Sequence, residues 1–337
     1  MRKFLSLSAL IFLVVSCSDD DSYTEEPIME MSYARLVTTS NTSGMLSYRD
    51  LLDSNGTVYS FALNGTDNDG IHLDENSMDI IIASRTNNRL EKYTNLESSV
   101  AGTMESLTLT TFSSDAEFNN PREIAVYGDK VIVTQDQAES NSNTNKLLVY
   151  QHTTTGFSLM KEFTVDFKLW GIHIEGNDLF AIVDLTSDIV KFNNFFNNPS
   201  GALIPTKRVT IEGLIRTHGI THCIIDNVMI LTDVGSAASD SDGGLVIIKN
   251  FSSVFGSTAN TGTIAMSNQE RIYGPNSTLG NPVDVAYDYE TNKIYVAERA
   301  NEGGKVLTFS FPMTSGDAAP IETRIEPGVS GIYLLRN

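Results

Sequence analysis

The sequence predicts an all-β fold, on three observations. Helical periodicity is nearly absent, short apolar-alternating runs are separated by clusters of Asn, Gly, Asp and Ser, and one phrase returns along most of the chain. The phrase opens at Asp69-Gly70-Ile71-His72, Arg122-Glu123-Ile124-Ala125, Trp170-Gly171-Ile172-His173, His218-Gly219-Ile220-Thr221 and Val283-Asp284-Val285-Ala286. A turn follows each copy, then a second apolar run: Asp79–Ser84, Lys130–Gln135, Asp178–Asp184, Val228–Asp233 and Lys293–Glu298. A third run ends near an aromatic or apolar position, as in Lys146–Tyr150 and Asp188–Phe192. A sixth copy of the first run stands alone at Val329-Ser330-Gly331-Ile332-Tyr333-Leu334.

Taking Ile71, Ile124, Ile172, Ile220, Val285 and Gly331 as anchors, the spacings are 53, 48, 48, 65 and 46 residues. Propeller blades of four strands repeat about every 40–50 residues. The spacing therefore predicts a β-propeller of six four-stranded blades, with room for extra strands in the longest interval. The sixth copy lacks three partners, and the N-terminal region supplies three runs, Arg35–Thr39, Met45–Tyr48 and Thr57–Leu63. A 3+1 closure follows, in which the last strand is the inner strand of a blade begun by the first three. Such a closure leaves few sheet edges open. Asn281-Pro282-Val283-Asp284-Val285-Ala286 with Ile294-Tyr295-Val296-Ala297-Glu298 resembles the NHL-repeat type of six-bladed propeller, and Asn120-Pro121-Arg122-Glu123-Ile124-Ala125-Val126 is similar to it.

Ahead of the repeats, Arg2 and Lys3 precede an apolar run from Phe4 to Val15. Charge, a short apolar core and a small residue before a cut predict a secretory signal over residues 1–16. Val14-Val15-Ser16-Cys17 resembles the bacterial lipobox, which implies lipidation of Cys17 and a membrane anchor there. The acidic run Ser18-Asp19-Asp20-Asp21 resembles the Bacteroidota-type lipoprotein export signal, which implies an outer-membrane, cell-surface address. Residues 17–32 read as a polar tether, and 33–337 as the propeller. The only other cysteine, Cys223, has no partner for a disulfide within the chain, so it is expected as a small buried residue.

The formal charge is −19, and loss of Arg2 and Lys3 with the signal makes it more negative. A charge of that sign argues against nucleic acid, which demands a basic footprint. There is no Gly-x-Ser-x-Gly elbow, phosphate loop or His-Glu-x-x-His helix.

In a propeller the inner strands start, and the second strands end, on one rim. The register puts Arg122, Glu123, Trp170, His218 and Asp284 at inner-strand starts, and Asp184, Asp233 and Glu298 at second-strand ends. These are the candidate ligand-binding residues. Asp136–Asn145, Val234–Gly244 and Arg299–Gly303 add long polar loops there, the usual carriers of binding on a rigid scaffold. Two function classes stay open. One is a binding module whose rim holds a glycan, a peptide or a partner protein, with Trp170 offering a stacking surface. The other is a metal-dependent hydrolase, similar to six-bladed calcium-dependent lactonases, using Glu123, Asp284, Asp184, Asp233 and Glu298 as an acidic funnel for Ca²⁺. Glu123, Asp284 and His218 are the metal candidates within it, whereas His72 and His173, which share one repeat slot, are expected to pack between blades.

Overall fold

The structure, a computed structural model, describes residues 32–103 and 106–337. Its strands form six sheets. Blade one is Asn68–Leu73, Ile80–Ser84, Arg89–Thr94 and Thr108–Phe112. Blade two is Pro121–Tyr127, Lys130–Gln135, Asn145–Thr153 and Gly156–Val165, with Gly201–Ala202 added in parallel at its outer edge. Blade three is Leu169–Glu175, Asp178–Val183, Asp188–Phe192 and Lys207–Ile211, extended in the same way by Thr263–Ile264. Blades four and five begin with Ile220–Cys223 and Pro282–Asp288 and hold four antiparallel strands each. Blade six joins Val329–Arg336 to Ala34–Ser40, Met45–Asp50 and Val58–Ala62, which is the 3+1 closure.

The long interval before Val285 adds no blade. It contains the helix Phe251–Ser257, which buries Phe251 and Phe255, and the short strand Thr263–Ile264 that extends blade three. The last anchor shifts by one residue. Gly331 takes the place of Gly70, Gly171 and Gly219, so Ile332 is the counterpart of Ile71.

Six hydrophobic clusters hold the ring, one at each junction between neighbouring blades. Side chains alternate across a strand, so each second strand serves two junctions. Ile80 and Ile82 pack toward blade six, and Ile81 and Ala83 toward blade two. That double burial is why the second strands read as continuous apolar runs. Cys223 is half-buried, against the cluster between blades four and five, rather than fully buried as expected. The signal segment and most of the tether, including Cys17 and Asp19–Asp21, lie outside the described residues.

Candidate functional site

The inner strands start with an irregularity. Pairing with the second strand skips between Asn68 and Ile71, Pro121 and Ile124, Leu169 and Ile172, and Pro282 and Asp284. A bulge re-aims the side chains it contains, and here it turns two positions of each phrase toward the axis and rim.

The deeper position is glycine in four blades: Gly70, Gly171, Gly219 and Gly331. A Cβ on Gly70 would sit 2.4 Å from the Ile124 nitrogen, and one on Gly171 would sit 2.2 Å from the His218 carbonyl oxygen. The inner strands therefore touch backbone to backbone at this level. Only blades two and five carry side chains there, Glu123 and Asp284, on opposite sides of the six-membered ring. Both line an axial cavity of about 280 Å³ that runs down the inner strands past His72, His173 and Tyr333. Glu123 Oε1 accepts the Ile124 N–H at 2.8 Å. Asp284 accepts the N–H groups of Val285 and Ile332, both at 2.8 Å. Burial, followed by the negative charge of Asp284, pushes the Glu123 carboxyl well above the usual range. Burial also pushes Asp284 up to about 7.

The outer position carries Asp69, Arg122, Trp170 and His218 in blades one to four, and these touch in sequence. Arg122 Nη1 lies 3.5 Å from Asp69 Oδ2. The Arg122 guanidinium lies 4.0 Å from the Trp170 ring centre. The His218 ring stacks on Trp170 at 3.6 Å with a 4° interplanar angle. Two groups that close to one centroid must take opposite faces, so Trp170 is sandwiched. The expected stacking surface for a sugar is already occupied within the protein.

His218 Nε2 meets Asp184 Oδ1 at 3.2 Å, and Arg216 Nε meets the same oxygen at 2.7 Å. Burial pushes His218 down to about 4, leaving it neutral at pH 7, so Arg216 is the positive partner of Asp184. Although burial opposes it, these hydrogen bonds hold the Asp184 carboxyl well below its usual range.

The other second-strand carboxylates are braces. Asp233 accepts the N–H groups of Ile215, Arg216 and Gly235 and the Tyr273 hydroxyl. Glu298 accepts those of Gly280, Asn281, Ala300 and Asn301. Both are fully buried. The acidic funnel therefore separates into buried braces, an Arg-paired Asp184 and the axial pair Glu123–Asp284.

His218 also faces Asp184 rather than the axial pair. Among the described residues no group of three or more His, Cys, Asp or Glu is placed to hold a metal ion. Ca²⁺ takes six to eight oxygens. Both Asp284 oxygens are engaged by backbone N–H groups and Glu123 keeps one free oxygen, so these residues do not fit that ion. His72 and His173 meet rings of a neighbouring blade, at 4.7 Å from Tyr333 and 6.1 Å from His222, but they also line the axial cavity and are not wholly packed between blades as expected.

The rim also holds a recess that includes Arg122 and residues outside the candidate set. This polar cleft of about 540 Å³ lies over blades one to three. Arg85, Arg122 and Lys168 line it with Asp67 and Asp136, beside Asn88, Asn119, Asn120 and Gln137. The predicted loop Asp136–Asn145 forms one wall, through Asp136, Gln137, Ala138 and Ser140. Asn88 stands at a positive φ of 52°, a turn conformation that Asn adopts readily.

No family model and no curated protein matches the chain. Solved structures do match it. One is a nidogen/laminin complex, with a TM-score of 0.62 and 11% identity, covering 89% of this chain and 98% of that chain. A second is a putative 6-phosphogluconolactonase from Bacteroides uniformis ATCC 8492, with a TM-score of 0.56 and 14% identity over 88% of this chain and 83% of that one. A third is a functionally unknown protein from Desulfotomaculum acetoxidans DSM 771, with a TM-score of 0.54 and 12% identity over 88% and 83%. At such identities the likeness shows architecture and not activity: the chain is a six-bladed β-propeller.

Proposed function

We propose that the chain is a surface-exposed outer-membrane lipoprotein whose NHL-like propeller is a binding module, with its ligand held on the rim where the inner strands start. The observation that carries the binding reading is the polar cleft, a recess of about 540 Å³ built on rim loops. Its volume lies within the roughly 300–1,000 Å³ of small-ligand sites. Cys17→Ala is expected to release the protein from membranes, and alanine at Asp19, Asp20 and Asp21 to hide it from surface protease. A triple variant as accessible as wild type refutes the export reading.

A hydrolase reading draws on the axial pair Glu123–Asp284 and on the putative lactonase among the similar structures. Stoichiometric divalent metal by elemental mass spectrometry, with a chelator-sensitive melt, would favour it over the binding module.

A further inference from the structure

The polarity of the rim cleft specifies its ligand class. Of its lining residues only Ala138 is apolar. Its amides are oriented by the protein. Asn88 Oδ1 accepts the Asn120 N–H at 2.9 Å. Gln137 Oε1 accepts from Asn145 Nδ2 at 2.9 Å, and Asn145 is itself oriented by the Gln137 N–H at 2.9 Å. Backbone donors fix both orientations, so Asn88 and Gln137 present their NH₂ groups, which have no partner among the described residues.

Of the three cations of the cleft, Arg85 is fixed by Asp67 and by Asn120 Oδ1, each at 3.0 Å, and the other two are held by longer pairs. Lys168 lies 3.7 Å from Asp136 and 3.6 Å from Asp184, with no hydrogen bond among the described residues. Arg122 lies 3.5 Å from Asp69 and 3.3 Å from Asp136. Two other lysines are held more closely, Lys92 by Asp79 at 2.6 Å and Lys191 by Asp178 at 2.8 Å. The long pairs and idle N–H donors leave Lys168, Arg122, Asn88 and Gln137 able to take further acceptors.

Resting on the rim-binding reading, we infer that the cleft binds an acidic saccharide of the uronate class. Its carboxylate takes Lys168 and Arg122, and its ring and hydroxyl oxygens take the amides of Asn88 and Gln137. Carboxylate and hydroxyl oxygens side by side on one ring match this set of charged and neutral donors. An acidic peptide would meet the cations, but the cleft offers its apolar side chains no subsite.

Isothermal titration of the full chain in detergent tests this, with digalacturonate, its carboxyl-reduced neutral counterpart, tetraglutamate and inorganic sulfate as probes. Digalacturonate is expected to bind, more weakly as salt rises, and the neutral disaccharide to bind about tenfold more weakly or less, as loss of charge-assisted bonds implies. Lys168→Ala and Gln137→Glu are each expected to weaken digalacturonate by about tenfold or more, with an unchanged melt. Gln137→Glu keeps the acceptor for Asn145 and replaces an NH₂ by a negative oxygen. Equal binding of the neutral sugar, lost in Lys168→Ala, overturns the acidic class and leaves the rim reading standing. Tighter binding of tetraglutamate, or equal binding of sulfate, overturns the saccharide. Binding indifferent to both variants overturns the rim reading as well, and no binding of digalacturonate at millimolar concentration overturns the inference.

Discussion

Glu123→Gln separates the charge of the axial carboxyl from its shape. The Ile124 N–H bond is to one oxygen, so glutamine keeps it and turns its NH₂ into the cavity. Burial, then Asp284 and Asp69, raise the Glu123 carboxyl, and Asp284 is raised to about 7. A raised carboxyl pKa means that the folded chain keeps a proton the unfolded chain has released. Its contribution is full below the ordinary carboxylate range and is lost as pH rises through the folded value. Each such group costs about 1.4 kcal/mol per pH unit across its window. For Asp284 the window from 3.8 to about 7 sets a ceiling of about 4 kcal/mol. His72, His173 and His218, each lowered to about 4 by burial, act oppositely and add stability from about 4 to 6.5. The wild-type profile is a difference of these two sets, and variant minus wild type isolates the axial pair, because removing the Glu123 charge also relieves Asp284. Urea unfolding at about pH 5 and about pH 8 measures that difference. The variant is expected to exceed wild type in stability by more near pH 8 than near pH 5. Parallel profiles, or a variant weaker at the higher pH, refute the reasoning.

Two further outcomes follow from the rim. Trp170 is the only tryptophan and lies flush on His218, so its fluorescence should fall as the imidazole is protonated near pH 4, and His218→Phe should abolish that step; a midpoint at the ordinary histidine value would show that His218 is not desolvated. Leu185 stands at φ 66° with 58% of its surface exposed, so Leu185→Asn should raise stability by about 0.5–1 kcal/mol in chemical denaturation; a loss would mean that the leucine makes a packing contact worth more than its backbone strain.

The repeat was legible because the phrase has a steric cause. Where inner strands touch backbone to backbone a glycine is required, and the residue after it must pack between blades, so Gly70-Ile71, Gly171-Ile172 and Gly219-Ile220 look alike. The two exceptions to glycine, Glu123 and Asp284, were visible for the same reason. The stack of Arg122, Trp170 and His218 was not, although all three share a repeat slot. It depends on contact across blades about fifty residues apart, and a list of slots does not show which neighbours meet. The cleft was half legible. Arg122, Arg85 and the loop after Gln135 follow from the register. Lys168 and Asn88 sit in turns, where no periodicity marks a residue and the only cue is the tolerance of Asn for a positive φ. The repeat slot of Asp184, Asp233 and Glu298 was plain, but the backbone N–H groups that all three accept appear only when the loops are in place.

The sheet that combines Ala34–Ser40 with Val329–Arg336 makes completion of the ring wait for the last copy of the repeat. Blades one to five can pair their own strands as they emerge. Blade six waits with an open edge until residues near 336 arrive, and the junctions on both sides of it wait too. Any product broken off before Val329 keeps an exposed strand at Ala34–Ser40, a molecular mark of incompleteness that proteases and chaperones can recognise.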